Sequence, residues 1–243
     1  MRSHVTPGAS VYETSNGFRL TIPDGDNRSY RVAQLDGYAQ LARRQFPSHP
    51  PRTLNLRARA SAASLPGTWG FGLWNDPFGL SLGFGGNPFR IPALPNAIWF
   101  FHASNENYLS FSEKPGNGFL AQAFCAPVLP LGQIIKTGLT LPFSRTKARE
   151  QMSRVVAQDG IRLGVDETQW HAYRFEWSLT GSAFWVDDDL VLETSVSPRP
   201  PLGLVIWIDN QFAAWHPNGE IKFGVLENNE CWLEVEEIEI RDD

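Results

Sequence analysis

Residues 170–177, Trp-His-Ala-Tyr-Arg-Phe-Glu-Trp, constrain the fold most because aromatic and charged side chains alternate along them. The aromatic positions are Tyr173, Phe175 and Trp177, and the charged positions between them are Arg174 and Glu176. Successive side chains of a β-strand point to opposite faces, so this pattern predicts a strand with one apolar and one charged face. Residues 183–192 follow after a short turn and contain an Asp-rich tip, which predicts a hairpin. We therefore expect the three aromatic side chains to be mostly buried.

Other segments favour an all-β fold. Residues 18–22 and 54–60 alternate with a period of two, and residues 69–76 form a further strand that Pro77 ends. Residues 97–103 are apolar on both faces, which is typical of a central strand in a covered sheet. The 21 glycines and 18 prolines interrupt the chain at the short spacing of many strands and turns. We predict a two-sheet antiparallel sandwich that forms a single domain over residues 1–243.

The strand pattern breaks between residues 127 and 164, where we predict a partly helical insertion. A candidate helix runs from about Thr146 to Gln158, with Thr146 as a possible N-cap and Gly160 as a possible C-terminal stop. Its apolar residues at one-face spacing are Ala148, Met152, Val155 and Val156. We expect this insertion to cover one mouth of a cleft.

Charge and cysteine content exclude several classes of function. The chain has 21 basic and 26 acidic residues, a formal net charge of −5 and no long basic run, so we expect no nucleic-acid partner. Residues 1–11 lack the apolar run of a signal peptide and no later segment reaches membrane-spanning length, which predicts a cytoplasmic protein without a membrane partner. Cys125 and Cys231 lack zinc-site spacing, so we expect reduced cysteines near the core and no cofactor. The oligomeric state stays open.

The hairpin resembles the signature of a known superfamily. Trp-x-x-Tyr-x-x-x-Trp at residues 170–177, followed by Phe-x-Val-Asp at 184–187, is similar to the concanavalin A-like lectin/glucanase pattern, which includes family 16 glycoside hydrolases. The resemblance extends over about residues 54–240 and implies a jelly-roll sandwich with its ligand on the concave sheet. Residues 69–79 and 201–211 look more specifically like a bacterial group of this superfamily without an established chemistry.

The resemblance also shows what the chain lacks. Related glucanases carry a Glu-x-Asp-x-x-Glu motif on the strand after the Trp-rich one, and here that strand reads Asn96-Ala-Ile-Trp-Phe-Phe101. Retaining hydrolysis needs two carboxyl groups about 5–5.5 Å apart, and this strand supplies neither. We do not expect family-type hydrolysis unless two of Asp76, Glu106 and Asp209 meet in space.

Polar residues at the ends of apolar strands are the candidates for chemistry. Alternation over residues 201–211 separates core-directed side chains from a set that faces a cleft. The core-directed residues are Leu204, Ile206 and Ile208, and the opposite set includes Trp207, Asp209 and Gln211. Gly70 and Gly72 leave space on the face that carries Trp74 and Asp76. A buried unpaired charge such as Asp209 costs several kcal/mol, so this residue needs donors or an adjoining cleft.

These arguments give two sets of predicted site residues. The catalytic set is Asp209, His102 and Asp76, and the ligand-binding set is Trp74, Asn75, Trp207, Asn210 and Gln211. Structural roles compete with each assignment: Asp209 and Asn210 can end a strand, residues 75–77 can form a turn, and His102 can be a satisfied core residue. We assign no metal, since Asp187, Asp188 and Asp189 lack calcium-loop spacing and fit a solvated hairpin tip.

Two functions from different classes remain. The first is an enzyme of the cyclase, isomerase or lyase type that binds a small, largely apolar molecule and transfers protons through Asp209, His102 or Asp76. The second is a non-catalytic, lectin-like carbohydrate-binding module in which Trp74 and Trp207 stack on sugar rings. An atypical glycoside hydrolase is a third, weaker alternative. A closed apolar pocket favours the enzyme and a line of exposed aromatic residues favours the module.

Overall fold

The structure, a computed structural model, describes residues 1–77, 93–127 and 145–242. Its strands are β1 (Arg2–Val5), β2 (Ser10–Glu13), β3 (Gly17–Ile22), β4 (Val32–Asp36), β5 (Arg52–Ala60), β6 (Thr68–Trp74), β7 (Ala97–Ala103), β8 (Gly118–Cys125), β9 (Ala157–Arg162), β10 (His171–Trp177), β11 (Ser182–Val186), β12 (Asp189–Thr194), β13 (Gly203–Asp209), β14 (Gln211–Trp215), β15 (Ile221–Val225) and β16 (Cys231–Arg241). One α-helix, α1 (Arg145–Val155), and a short 3₁₀ turn (Arg43–Gln45) complete the described elements.

The strands form two seven-stranded sheets that pack face to face. The front sheet has the order β1-β4-β13-β6-β7-β8-β9, and the back sheet has the order β12-β11-β10-β5-β16-β3-β2. Neighbouring strands in both sheets are antiparallel, and β14 and β15 pair as a separate hairpin. The predicted antiparallel jelly-roll sandwich is therefore confirmed.

The main core lies between the sheets, where the aromatic hairpin contributes its apolar face. Tyr173, Phe175 and Trp177 on β10 are 3%, 0% and 1% exposed, as the alternation predicts. Trp177 also places its indole Nε1 within 3.2 Å of the Ser197 hydroxyl and of the Pro198 carbonyl, so its polar atom is satisfied inside the core.

Strand β7 is buried along its whole length because a second apolar layer covers the outer face of the front sheet. Its even-numbered residues, such as Ile98 and Phe100, join the core between the sheets. Its odd-numbered residues, such as Trp99 and Phe101, join a second cluster on the outer face with Trp207. The predicted central position of this strand is confirmed.

The last strand contains a local irregularity that its sequence indicates. The alternation of residues 232–240 changes phase between Val235 and Ile238, which predicts a β-bulge. The register of β16 against β5 shifts between Glu236 and Glu239, and Glu237 has a positive φ of 53°. The bulge is therefore where the sequence places it.

The predicted helix is present but ends earlier than expected. Helix α1 buries Ala148 and ends at Val155, which is 36% exposed, so Val155 does not belong to the packed face. Residues 157–162 pair with β8 as the edge strand β9, because inter-strand hydrogen bonds replace further helical turns there. Gly160 thus lies in a strand and is not a helix stop. Thr146 donates to the Asn218 carbonyl instead of capping the helix, and residues 128–144 of the insertion lie outside the described residues.

Both cysteines are free, with Cys231 buried and Cys125 partly exposed. In the parts of the chain that the structure describes, no helix is long and apolar enough to cross a membrane. Over the same ranges, no three His, Cys, Asp or Glu side chains gather as metal ligands would.

Candidate functional site

The outer face of the front sheet holds a cleft of about 800 Å³. Its floor consists of aromatic side chains from the three adjacent strands β13, β6 and β7. These side chains are Trp74, Trp99, Phe101 and Trp207, which we call the aromatic floor. The walls come from the β14–β15 hairpin, which contributes Trp215 and Phe223, from Met152 of α1 and from Leu94. The described part of the insertion thus borders the cleft, on the side where it was expected.

The rings of the aromatic floor contact one another. Trp74 and Trp207 are nearly parallel, with an interplanar angle of 5° and ring centroids 6.0 Å apart. Phe101 lies 5.6 Å from Trp207 and 5.2 Å from Trp99, centroid to centroid. The floor is therefore one continuous aromatic surface, which suits the flat apolar face of a ligand.

Two glycines make this packing possible. A Cβ added at Gly70 would lie 2.9 Å from Trp207 Cη2, and one at Gly72 would lie 2.5 Å from Trp99 Cβ. The missing side chains leave room for close approach to the backbone, as the sequence indicates, and parts of the protein take that room. The added Cβ atoms would also lie 2.5 Å from the Phe100 carbonyl oxygen at Gly70 and 2.3 Å from the Ile98 carbonyl oxygen at Gly72, so strand β7 packs directly against both glycines.

The indole nitrogens of the floor are satisfied within the protein. Trp74 Nε1 donates to the Tyr38 hydroxyl at 2.6 Å, and Trp207 Nε1 donates to Thr68 Oγ1 at 2.9 Å. The third indole, Trp99, donates to the Gln122 carboxamide at 3.2 Å. These hydrogen bonds fix the ring orientations and leave the π-faces as the surface a ligand can meet.

Asp209 is the polar centre of the cleft. It ends β13 and is only 7% exposed. Its Oδ1 accepts hydrogen bonds from Thr68 Oγ1 at 2.7 Å and from the Gln211 backbone N–H at 3.2 Å, and its Oδ2 accepts one from the Tyr30 hydroxyl at 3.2 Å. Burial raises the pKa of Asp209 from 3.8 to about 7, against the lowering effect of these hydrogen bonds. Near neutral pH the carboxyl therefore exists in both protonation states.

Tyr30 and Thr68 hold Asp209 in a fixed network. Burial, together with the nearby Asp209 charge, raises the pKa of Tyr30 well above its usual value, so its phenol stays protonated and can donate. Thr68 donates to Asp209 and accepts from Trp207, which connects the carboxyl to the aromatic floor. Sequence reasoning missed both residues. Thr68 lies on the same strand face as Gly70 and Trp74, so the alternation of side chains along β6 could have identified it. Tyr30 lies before β4, outside any strand, so no such pattern identifies it.

Two further carboxyl groups border the cleft. Asp36, at the end of β4, is 1% exposed and accepts hydrogen bonds from Gln34 Nε2 at 3.0 Å and from the Ala39 backbone N–H at 2.8 Å. Asp76 lines the cleft at a turn with a φ of 48°, and Arg43 donates to its backbone carbonyl at 2.6 Å. Asp76 thus combines the turn role and the cleft position that the sequence left open.

His102 does not reach the cleft. It points to the inner side of the front sheet, where its ring stacks on Trp69 with an interplanar angle of 7° and Nδ1 lies 2.8 Å from Glu167 Oε2. It shares this face with Phe100, since residues two apart in a strand point the same way. The prediction that His102 lines the concave site with Asp209 is wrong. The sequence could not assign its face because both faces of β7 are apolar.

Of the three predicted ligand-binding amides, Gln211 lines the cleft, whereas Asn75 and Asn210 do not. Asn75 donates to the Leu94 carbonyl at 2.9 Å, and Asn210, which is 0% exposed, donates to the Leu226 carbonyl at 2.8 Å. Both side chains bond to backbone and lie outside the cleft lining, so we correct their assignment to structural residues. Trp74, Trp207, Asp209, Asp76 and Gln211 line the cleft together.

The strand that carries the catalytic carboxylates in related glucanases has none here. The odd-numbered residues of β7 that face the cleft side are Ala97, Trp99, Phe101 and Ala103. Asn96, just before the strand, uses its side chain to bond the Ala126 backbone at 3.0 and 3.1 Å. The cleft side of β7 therefore carries aromatic and small residues and no carboxyl group.

Comparison with known proteins shows the fold. No family profile and no curated protein matches the sequence. A family 16 endo-glucanase from Bacteroides ovatus, in complex with G4G3G-2F-DNP, aligns with 96% of this chain and 85% of its own, at 9% identity and a TM-score of 0.50. A legume lectin-like domain from Entamoeba histolytica aligns with 99% of this chain and 90% of its own, at 10% identity and a TM-score of 0.50. A pseudo β-1,3-glucanase of Mycobacterium tuberculosis is 14% identical over 90% of this chain and 74% of its own, with a TM-score of 0.42.

The chain therefore has the concanavalin A-like fold found in family 16 glucanases and legume lectin-like domains, without the Glu-x-Asp-x-x-Glu motif. Fold similarity at this level of identity does not carry chemistry from one protein to another. What the cleft does must follow from its own residues.

Proposed function

We propose that the cleft binds a carbohydrate without hydrolysing it, as a lectin-like module does. The aromatic floor is the observation that carries this proposal. The C–H face of a sugar ring is flat and apolar, so it packs well on fixed aromatic rings, while carboxyl and amide groups at the edge bond its hydroxyls. Asp209 and Gln211 occupy such positions beside Trp207.

Two further observations support non-hydrolytic binding. The cleft lies on the outer face of one sheet of the sandwich and is open enough to admit a ligand of oligosaccharide size, with a volume of about 800 Å³. Strand β7 carries Trp99 and Phe101 on its cleft side, and neither can act as nucleophile or proton donor in glycoside hydrolysis. A cleft with these residues on β7 would bind a carbohydrate and release it uncleaved.

Replacing Trp74 with Ala tests the role of the floor. Trp74 is partly exposed in the cleft, so the change removes a stacking surface at a smaller cost to the fold than a core substitution. We expect affinity for a bound tetrasaccharide to fall about tenfold, which corresponds to about 1.4 kcal/mol. Calorimetric titration with tetrasaccharides of β-1,3-glucan, β-1,4-glucan, chitin and chitosan measures this change in affinity.

The matched control is Trp185→Ala, which removes an indole from the outer face of the back sheet. Its affinity should equal that of the unaltered protein. Trp74→Phe should retain most of the binding because a ring face remains. If none of the four tetrasaccharides binds the unaltered protein, the proposal fails.

A second candidate function is proton-transfer catalysis on a small, largely apolar molecule, as in a cyclase, isomerase or lyase. The buried carboxyl of Asp209 favours it, since a group with a pKa of about 7 can give and take a proton near neutral pH. The aromatic floor would stabilise positive charge that develops on the substrate. A cyclisation or isomerisation of this kind balances and is redox-neutral, because Asp209 donates a proton to one carbon and regains a proton from another carbon of the same molecule.

This candidate predicts uptake of solvent deuterium. When the protein is incubated in D₂O with a panel of isoprenoid alcohols and diphosphates, mass spectrometry should show deuterium in at least one of them. Asp209→Asn should lower that rate by about 100-fold. Asp159→Asn, at an ion pair with Lys114 away from the cleft lining, should leave it unchanged. Absence of uptake across the panel removes the catalytic candidate and leaves carbohydrate binding in place.

A further inference from the structure

We infer that the carbohydrate bound in this cleft is positively charged, so that the site selects an amino sugar over neutral or acidic sugars. This inference rests on the proposed carbohydrate binding and adds the class of ligand. It follows from three properties of the cleft: its charge, its aromatic faces and the position of the Asp209 carboxyl group.

The described residues that line the cleft carry more negative than positive groups. Three carboxyl groups, of Asp36, Asp76 and Asp209, border the space. The one lysine in the lining, Lys222, has its Nζ 2.9 Å from Glu220 Oε1, so its charge is already compensated. The remaining basic group in the lining is His4. The described lining thus holds three carboxyl groups against one lysine, already paired with Glu220, and one histidine, so an anionic sugar would meet more repulsion than a cationic one.

Arg43 and Arg149 lie beside the lining. Arg43 donates from Nε to the Asn75 carbonyl and from an Nη to the Asp76 carbonyl, both at 2.6 Å. Arg149 of α1 packs over the ring of Tyr108, with its guanidinium carbon 5.6 Å from the centroid, and donates to the backbone carbonyls of Ser110 at 2.9 Å and of Trp215 at 3.1 Å. Both guanidinium groups thus donate to backbone carbonyls, and neither belongs to the lining of the cleft.

The aromatic floor favours a cation independently of the carboxyl groups. The π-face of an aromatic ring carries partial negative charge, and tryptophan attracts cations most strongly. Trp74, Trp99 and Trp207 turn their N–H groups to Tyr38, Gln122 and Thr68, so their positive edges are used within the protein. A ligand on the floor meets mainly the negative faces.

Several hydrogen-bond donors of the lining are also used within the protein. The Thr68 hydroxyl donates to Asp209, Gln34 Nε2 donates to Asp36, and Asn107 Nδ2 donates to Ser104 and to the Gly67 carbonyl. The lining also keeps donors, because Gln211 contributes a carboxamide and the indole N–H of Trp215 has no hydrogen-bond partner among the described residues. The carboxylate oxygens accept several bonds each, and an ammonium group, which has three donors and no acceptor, suits them better than a hydroxyl does.

Asp209 is the expected partner of the ammonium group. Its Oδ1 accepts hydrogen bonds from Thr68 Oγ1 and the Gln211 N–H, and its Oδ2 accepts one from Tyr30. A carboxylate oxygen can accept a second bond, and Asp209 lines the cleft. A buried carboxylate is costly without an opposite charge, and a bound cation would supply it. Cation and carboxylate would then form a charge-assisted pair above the aromatic floor.

Calorimetric titration near neutral pH with three tetrasaccharides of the same β-1,4 backbone tests the inference: chitosan (free amines), chitin (N-acetylated) and cellulose (hydroxyls). We expect the chitosan tetramer to bind at least tenfold more tightly than either neutral tetramer. Asp209→Asn, which keeps the size of the side chain, should reduce this preference to about threefold or less with little change for the neutral tetramers. The control Asp159→Asn should retain the full preference.

The outcomes separate the inference from the function on which it rests. If the neutral tetramers bind as tightly as the chitosan tetramer, the inference is overturned and carbohydrate binding stands. If Asp209→Asn keeps the full preference for chitosan, Asp209 is not the partner and the inference is likewise overturned. If no tetramer binds, both fail. Circular dichroism checks that each variant folds. If Asp209→Asn does not fold, Asp209→Ser is used in its place.

Discussion

Replacing Trp177 with Ala should lower the free energy of unfolding by about 3–5 kcal/mol, because it empties a large site at the centre of the core. Trp177 is 1% exposed and belongs to the cluster between the sheets. The change also leaves the Pro198 carbonyl without its indole donor. Urea unfolding monitored by circular dichroism gives the difference in stability.

The matched control is Trp185→Ala on the neighbouring strand β11. Trp185 projects to the outer face of the back sheet, where the Arg174 guanidinium lies 3.9 Å from its ring centroid. Such a partly exposed cation–π contact contributes about 0.5–1 kcal/mol, so this variant should unfold close to the unaltered protein. A loss below about 1 kcal/mol for Trp177→Ala would contradict the assignment of its face to the core.

Replacing Asp209 with Asn should make the protein more stable at neutral pH and leave its stability nearly unchanged in acid. Because the folded-state pKa of Asp209, about 7, lies above its ordinary value of 3.8, the folded state keeps a proton that the unfolded state releases in this interval. The contribution of Asp209 to the stability of the unaltered protein is therefore fully present below about pH 4. This contribution is lost as the pH rises to about 7. One pKa unit corresponds to about 1.4 kcal/mol, so the loss reaches about 4 kcal/mol at most. The Asp209→Asn variant has no titrating carboxyl group at this position, so it does not undergo this loss of stability.

Urea unfolding of both proteins between about pH 4 and pH 8 measures this difference, since other titrating groups contribute equally to both. Asp159→Asn is a control of opposite sign. Burial opposes ionisation of Asp159, but hydrogen bonds from Lys114, Thr194 and Gly160 hold its pKa below the usual value of 3.8. Its contribution to stability is therefore fully present above about pH 4, and its removal should cost stability throughout the measured range. An Asp209→Asn variant that parallels the unaltered protein at every pH would show that Asp209 is ionised throughout.

The strands and their buried faces follow from local sequence. In β10 the period of two separates apolar from charged side chains, and in β13 it separates aliphatic residues from a face that carries Trp207 and Asp209. The core positions of Phe175 and Ile206 are therefore readable without coordinates. The phase change in β16 indicates its bulge in the same way. Each of these features depends on the geometry of a single strand, which the sequence pattern reports directly.

The candidate site was only partly readable. Alternation assigns Trp207 and Asp209 to the opposite face once Ile206 and Ile208 are assigned to the core, and both residues line the cleft. His102 was misplaced because β7 is apolar on both faces, so its pattern contains no signal that distinguishes the cleft from the core. Gly70 was interpreted as open space, whereas the indole of Trp207, distant in sequence, fills it.

The sequence by itself determined the sandwich, the aromatic hairpin and the lack of a hydrolytic motif, because each depends on side-chain periodicity or residue type within one segment. Only the tertiary structure decided that Tyr30 and Thr68 meet Asp209, across separations of 179 and 141 residues. It also decided that the rings of three strands form one floor. The physical reason is that the Asp209 pKa and the flat orientation of the indoles come from burial and from hydrogen bonds between distant strands, and local sequence contains neither.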